Sequence, residues 1–367
     1  MTAAAPTLTT AAPSISNRAE AARVAVATWL FAVAGLVFAM VVIGGITRLT
    51  ESGLSIVRWE PISGVLPPLT EADWQRLLEL YRESPQYRQV NRGMTIEEFK
   101  TIFWWEYIHR VWGRLIGIAF LVPYLWFLAT GRIQRQWRLP LFGLFVLGGL
   151  QGAIGWWMVA SGLRDVPWVS PYRLTTHLGL ALVIFACLLW VGLSHLREAG
   201  RWGTAAASPG VRWAARWLWV PVAVTILSGG FVAGLDAGLI YNEFPWMGDG
   251  LVPPDYRNPA LGLIANALEH HPAVQFHHRV LAISTVVLAL AFAWTAQRSS
   301  DGVLRGLGLL VAAAALMQMT LGIATLLAHV PVSLGAAHQG GAVVVLAAVM
   351  VAWHRVSGQA AARPRTA

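Results

Sequence analysis

The chain has 367 residues, of which 56% are hydrophobic and only 12% are charged, and its mean hydropathy is +0.56. These values exceed the apolar share of ordinary soluble domains and predict a protein dissolved in a lipid bilayer. The formal net charge of +9 would suit nucleic-acid binding if the arginines were clustered, but they lie in alternate loops between apolar runs. This distribution argues against a basic nucleic-acid patch.

Eight apolar runs follow one another along the chain, and each is about 20 residues long, enough to cross a hydrocarbon core of about 30 Å as a helix. We therefore predict an all-α integral membrane protein with eight transmembrane helices. The predicted spans are residues 29–46, 108–128, 139–159, 174–193, 213–232, 276–295, 303–327 and 332–353.

The arginine-rich segments are the two termini, the linker in mid-chain and two further loops. Positive-inside counting places these segments in the cytoplasm and the long loops 47–107 and 233–275 outside. Residues 1–26 are then predicted to be a disordered cytoplasmic tail, and residues 355–367 a second cytoplasmic tail.

The first outer loop carries two N-cap signals, Thr70 followed by Asp73 and Thr95 followed by Glu98. They predict short helices over residues 71–82 and 96–105. We expect the second of these to continue directly into the next membrane helix.

An internal repeat organises the chain, because four segments of the second half match the first half in the same order. Residues 44–54 match 229–239, residues 106–110 match 275–279, residues 150–155 match 319–325 only loosely, and residues 176–179 match 337–340. The chain is therefore predicted to form two tandem pseudo-symmetric four-helix bundles, at residues 27–196 and 213–354, joined by a cytoplasmic linker at 197–212.

Each predicted bundle has one histidine early in its second helix and one early in its fourth: His109 and His177, then His278 and His338. Ionisable side chains inside a membrane are costly, which favours a functional role over helix–helix hydrogen bonding. Two imidazoles from facing helices suit the iron of a planar macrocycle. Zinc suits them less well, because it needs three or four ligands. The pattern favours one haem in each bundle.

The arginines near these histidines, Arg110, Arg114 and Arg279, are candidates for binding haem propionates, with snorkelling to lipid headgroups as the alternative. Glu106 lies one helical turn before His109, where the second bundle has the neutral Gln275. A carboxylate there can accept a proton or stabilise positive charge, whereas an amide cannot. We therefore hypothesise that the N-terminal bundle holds the haem that is chemically changed and the C-terminal bundle a haem that relays electrons.

Other polar residues receive structural interpretations. Glu51 and Asp236 occupy matching places after the first helix of each bundle, which favours capping or pairing with an arginine. His195 and His354 are expected to be solvated at the cytoplasmic surface. Cys187 is the only cysteine, so no disulfide can form within the chain.

The segments 44–55, 106–114 and 276–279 together resemble the haem A synthase family, over nearly the whole chain from about residue 28 to residue 353. The run at 59–68 resembles the proteobacterial and mitochondrial branch. The resemblance implies an enzyme that oxidises the C8 methyl group of haem O to a formyl group, by successive hydroxylations and loss of water, giving haem A. It also implies haem b as a bound cofactor.

Carried over by residue, the resemblance places His109 and His177 at the substrate haem, with Glu106 assisting the oxidation, and His278 and His338 at the iron of haem b. It implies a multi-pass protein of the bacterial inner membrane that acts with haem O synthase and cytochrome oxidase assembly partners and supplies a terminal oxidase. A homo-oligomer stays open. The main alternative is a two-haem membrane cytochrome that only transfers electrons, for example from quinol. A transporter built from two repeats is a further alternative.

Overall fold

A computed structural model describes residues 15–60, 63–164 and 166–358. Over these ranges the chain forms helices and loops without a β-strand, and eight helices are long and apolar enough to cross a membrane. The predicted all-α fold with eight spans is confirmed. The membrane-spanning helices are α1 (Ile15–Leu49), α4 (Ile96–Ala129), α5 (Arg135–Gly162), α6 (Pro171–Glu198), α7 and α8 together (Pro209–Trp217 and Trp219–Gly234), α10 (His271–Ala296), α11 (Gly302–Leu327) and α12 (Val332–Val356). Short helices outside them are α2 (Glu71–Arg82), α3 (Pro85–Gln89) and α9 (Leu263–Glu269).

Two helix boundaries differ from prediction. Helix α1 begins at Ile15, so the predicted disorder of residues 1–26 is wrong for residues 15–26, where Ala, Glu and Arg are good helix formers. Residues 1–14 and 359–367 lie outside the described part of the chain. The fifth span stays helical through Leu218, between α7 and α8, but lacks a hydrogen bond there. Pro221 explains the missing bond, because it has no N–H for the carbonyl of Trp217.

The outer loop folds as its N-cap residues predict. Thr70 and Thr95 both form complete capping boxes, and α4 runs without interruption from the loop into the membrane. Trp74 of α2 packs edge-on against Phe103 of α4, with ring centroids 4.9 Å apart. A small aromatic core outside the membrane thus ties this loop to the helix that carries His109.

Four helices, α1, α6, α8 and α12, form the centre of the molecule. Helix α1 packs against α4, α6 and α12, and α6 packs against α5, α8 and α12, so that α4, α5, α10 and α11 lie at the sides. We propose that α1, α4, α5 and α6 form one bundle and α7/α8, α10, α11 and α12 the other. The ends of α1 and α8 support this division, because each is followed by an acidic residue in the left-handed region, Glu51 (φ 54°) or Asp236 (φ 51°), and then by a 3₁₀ turn.

Arg48 links the two halves at the ends of α1 and α8. Its Nη2 donates to Asp236 Oδ2 at 2.8 Å and to the carbonyl oxygen of Ala233 at 2.7 Å. The expectation that Asp236 pairs with an arginine is therefore confirmed.

Candidate haem-binding sites

His109 on α4 and His278 on α10, the second membrane helices of the two halves, pack against glycines in the same way. A Cβ atom added to Gly44 of α1 would lie 3.1 Å from Cε1 of His109, and one added to Gly229 of α8 would lie 3.1 Å from Cε1 of His278. Each imidazole therefore lies directly on the backbone of another helix. A larger residue at either glycine would push the ring away.

His177 on α6 and His338 on α12, the fourth membrane helices of the two halves, also pack against glycines. A Cβ atom at Gly155 of α5 would lie 2.9 Å from His177, and one at Gly322 of α11 would lie 2.7 Å from His338. All four imidazoles thus occupy places that only a glycine on the neighbouring helix leaves open.

Two glutamines on the third helices support the same histidines. Gln151 donates to the carbonyl oxygen of His177 at 3.0 Å, and Gln318 donates to that of His338 at 2.8 Å. Each glutamine precedes the seating glycine by one turn, in a shared Gln-x-x-x-Gly pattern. The match of residues 150–155 with 319–325 hides this pattern, because its register is displaced by two residues from the one that pairs Gln151 with Gln318.

His278 and His338 lie opposite each other with ring centroids 6.5 Å apart and ring planes at 86°. An iron atom between two imidazole nitrogens needs two bonds of about 2 Å, and about 1 Å more from each nitrogen to its ring centre, which gives about 6 Å. The observed separation fits a haem iron ligated from both sides.

Ser228 orients the imidazole of His278. Its Oγ donates to the carbonyl oxygen of Thr225 at 2.8 Å and lies 2.8 Å from Nδ1 of His278. When the hydroxyl hydrogen is donated to Thr225, Ser228 Oγ accepts the hydrogen of Nδ1. The lone pair of Nε2 is then available for a metal, as in other sites where an outer partner selects the histidine tautomer.

The first histidine pair lacks this support. In the part of the chain that the structure describes, Nδ1 of His109 and Nδ1 of His177 are both buried without a hydrogen-bond partner. Ile43 stands next to Gly44, where the second half has Ser228 next to Gly229. The imidazole of His109 is therefore less firmly oriented than that of His278.

Glu106 is buried and fully hydrogen-bonded. Its Oε2 accepts from Ser55 Oγ at 2.8 Å and from the backbone N–H of Ile56 at 2.7 Å. Its Oε1 accepts from Arg110 Nη2 at 2.6 Å and Nε at 3.1 Å. The carboxylate thus holds the segment after α1 against the outer end of α4, next to His109.

Gln275 makes a different contact at the matching place. Its Nε2 donates to the carbonyl oxygen of Tyr241 at 3.0 Å, while its Oε1 is buried without a hydrogen-bond partner. The acid in the first half therefore receives hydrogen bonds from the loop, whereas the amide in the second half donates one. Glu106 and Gln275 therefore differ in their hydrogen bonding as well as in their charge.

The three candidate propionate arginines contact backbone carbonyls of the outer loops. Arg110 Nη2 donates to Ile56 at 2.8 Å, and Arg279 Nη2 donates to Tyr241 at 2.9 Å. Arg114 Nη2 donates to the carbonyl oxygen of Glu60 at 2.8 Å. These guanidinium groups tie the loops to α4 and α10, and their binding of propionates stays a prediction.

Comparison with known proteins identifies the family of this chain. A family described as cytochrome oxidase assembly protein matches residues 27–350. Among proteins named heme A synthase, the one from Rhodospirillum centenum is 50% identical over 331 residues, which cover 90% of this chain and 87% of the relative. The one from Nitrosospira multiformis is 44% identical over 360 residues, which cover 96% and 99%.

The chain belongs to the haem A synthase family. This confirms the resemblance seen in the sequence. A third member, from Parvibaculum lavamentivorans, is 45% identical over 344 residues, which cover 92% of this chain and 95% of the relative.

In this member of the haem A synthase family, the histidine next to His278 has a different environment. Nε2 of His277 lies 2.9 Å from the hydroxyl of Tyr256 in the outer loop, so its ring points away from His338. The repeat alignment, which selects His278 as the candidate ligand, agrees with this geometry.

The expectation that His195 and His354 are solvated is wrong, because both are buried. Nδ1 of His354 accepts from Trp202 Nε1 at 3.0 Å, and Nε2 lies 3.1 Å from Ser194 Oγ. Trp202 of the linker between α6 and α7 covers His354, and His195 packs against Trp137 of α5 with ring centroids 4.9 Å apart. Reading the sequence position alone could not reveal this cover.

Ser228→Ala should weaken haem binding at the second histidine pair and shift its midpoint potential, because His278 loses the partner that orients it. Loss of a hydrogen bond that orients a metal-binding histidine typically lowers affinity about 10-fold to 100-fold. Redox titration and haem retention during purification would measure the effect. Ile43→Ser adds a hydroxyl near His109 and serves as the matched control, which should leave the second pair unchanged. An unaltered potential in the Ser228→Ala protein would contradict the role given to Ser228.

Proposed function

We propose that this protein is a haem A synthase, which oxidises the C8 methyl group of haem O to a formyl group by successive hydroxylations to give haem A. The observation that carries the proposal is the presence of two histidine pairs in the membrane part of a chain whose relatives are named heme A synthase. The family description, cytochrome oxidase assembly protein, agrees with a product used by a terminal oxidase.

We assign haem b to His278 and His338. The 6.5 Å separation of the rings and the orientation of His278 by Ser228 support this assignment. Gln318, whose Nε2 donates to the carbonyl oxygen of His338 at 2.8 Å, supports the backbone that carries the second ring. When bound, haem b supplies a redox centre that passes single electrons, and the role of these residues is to hold it permanently.

We assign the substrate haem to His109 and His177. Support comes from their seats on Gly44 and Gly155 and from the looser orientation of His109, which suits a ligand that must enter and leave. Glu106 would act at the outer end of this site. Its buried negative charge, one turn from His109, can stabilise positive charge on the substrate or accept a proton when its contact with Arg110 opens.

The proposed setting is the bacterial inner membrane, with both termini in the cytoplasm and the histidines towards the outer side. The distribution of arginines over the loops supports this orientation. Haem O synthase and cytochrome oxidase assembly proteins are the proposed partners, and haem O is the substrate taken from the membrane.

Extraction of the haems from the purified protein tests the proposed function. We expect haem b together with haem O or haem A, identified by mass spectrometry, and conversion of added haem O to haem A in membranes that contain the protein. The alternative, a two-haem cytochrome that only transfers electrons, requires two chemically identical haems. Two equivalents of haem b and no haem A would therefore overturn the proposal.

A further inference from the structure

The seam between α4 and α5 is more open than the corresponding seam between α10 and α11. Helices α4 and α5 approach each other closely over much less of their length. They meet towards their cytoplasmic ends, where the rings of Phe120 and Phe145 stack at 6.3 Å and the hydroxyl of Tyr124 donates to the carbonyl oxygen of Arg138 at 3.2 Å. Only 11% of the most apolar stretch of α5 is buried, against 33% for α11.

Glycines line this seam between the histidines and the phenylalanines. Gly117 of α4 and Gly148 and Gly152 of α5 are exposed, and a Cβ atom added to any of them would meet no neighbouring atom within 4 Å. Gly117 is on the face of α4 that carries Phe120, and Gly148 and Gly152 are on the face of α5 that carries Phe145. The space beside them is therefore an unfilled apolar trough.

The second half has larger residues at the same distances from its histidine and seating glycine. Counted from His278 and Gly322, the positions of the three glycines are taken by Val286, Ala315 and Met319. Val286 and Ala315 are buried. The corresponding space in the second half is therefore occupied by side chains.

The second half also has no counterpart of the Phe120 and Phe145 rings. Alanines, Ala289 and Ala312, stand where the first half has Phe120 and Phe145, and both are buried. Without bulky rings between them α10 and α11 pack closely, so that a Cβ atom at Gly308 would lie 2.8 Å from that of Ala296. The phenylalanines hold α4 and α5 apart, whereas the alanines let α10 and α11 close.

We propose that the α4/α5 trough, defined by Gly117, Gly148 and Gly152 above Phe120 and Phe145, binds the farnesyl-derived tail of haem O and admits the substrate sideways from the bilayer. This inference rests on the proposed function. Haem O carries a long prenyl tail and haem b carries none, so only the substrate site needs an apolar extension. The trough begins at His109 and reaches Phe120 about 16 Å further along α4, which suits an extended prenyl chain.

Substituting residues of the second half into the trough tests this proposal. Gly117→Val and Gly152→Met are expected to raise the KM for haem O about tenfold and to leave kcat within about twofold, because tail binding is lost while the reacting edge of the haem is unaffected. Gly117→Ala should give a smaller increase. Competition between haem O and tail-less haem b for the first site should show that only haem O loses affinity.

Gly143→Val is the matched control. It adds the same side chain to α5 at another position where a Cβ atom meets nothing within 4 Å, but beyond Phe145 on the cytoplasmic side. Its KM for haem O should equal that of the unmodified protein, and the haem b spectrum of all variants should be retained, which shows that they fold.

Equal losses of haem O and haem b affinity, or an unchanged KM in the trough variants, would overturn the inference. In that case the trough would be filled by a lipid chain or by a second copy of the protein. An unmodified protein that forms no haem A from haem O would overturn the proposed function itself, so the two failures are distinguishable.

Discussion

His278→Ala protein is expected to lose the haem b spectrum after purification, with affinity reduced at least about 100-fold. His278 supplies one of the two imidazoles that lie 6.5 Å apart, and its ring is oriented by Ser228. Loss of a direct ligand should lower affinity more than loss of a residue that only orients a ligand. Reduced-minus-oxidised spectra and pyridine haemochrome analysis of the purified protein would measure the loss. His338→Ala should give the same result, since it supplies the opposite imidazole.

His277→Ala is the matched control for this experiment. His277 is the adjacent residue on the same helix, but its ring contacts Tyr256 in the outer loop. The variant should keep haem b. If His277→Ala lost the haem and His278→Ala retained it, the assignment of the ligands would be wrong.

Glu106→Gln protein is expected to form haem A at least about 100 times more slowly, while retaining haem b. The amide has nearly the shape of the carboxylate but carries no negative charge, as Gln275 does in the second half. The rate of conversion of haem O to haem A in membranes, followed by chromatography of extracted haems, would measure the change. Formation of haem A at the unmodified rate would contradict the catalytic role.

A second variant separates the chemical role of Glu106 from its structural one. Removal of its charge leaves the partly buried Arg110 without its carboxylate partner, which should destabilise the protein. Glu106→Gln combined with Arg110→Gln restores the charge balance. We expect the double variant to recover thermal stability and to remain inactive. Recovered activity would mean that Glu106 acts only by holding Arg110 and the loop.

The reverse substitution at the matching position of the second half tests the effect of the charge on haem b. Gln275→Glu introduces a carboxylate one turn before His278 and beside Arg279, whose Nη2 shares the Tyr241 carbonyl with Gln275. The added charge should lower the midpoint potential of haem b, because a nearby negative charge stabilises the oxidised iron. It should not create a second oxidation site, since we assign the substrate haem to His109 and His177.

Local sequence signals predicted much of the fold, because they act over short distances. The apolar runs predicted eight spans, and the capping boxes at Thr70 and Thr95 form as expected. The missing hydrogen bond between α7 and α8 was not predicted, although the effect of Pro221 is equally local. The start of α1 was predicted too late because polar helix formers were interpreted as a tail.

The candidate site was predictable where the two halves could be compared. The repeat selects His278 over His277 and marks the difference between Glu106 and Gln275, and the geometry preserves both contrasts. Ser228 was overlooked although it stands beside the repeated glycine pair. Its role depends on a hydrogen bond to a different helix, which no spacing along one helix reveals.

The helical fold, the eight spans and the two pairs of histidines are all predictable from the amino-acid order, because hydropathy and periodicity are local properties of the chain. The packing of the helices sets which glycine seats each imidazole, which arginines hold the loops and how His354 is buried beneath Trp202. These contacts join residues from separate helices, and their geometry depends on how closely the helices pack. The same packing leaves α4 and α5 apart and brings α10 and α11 together.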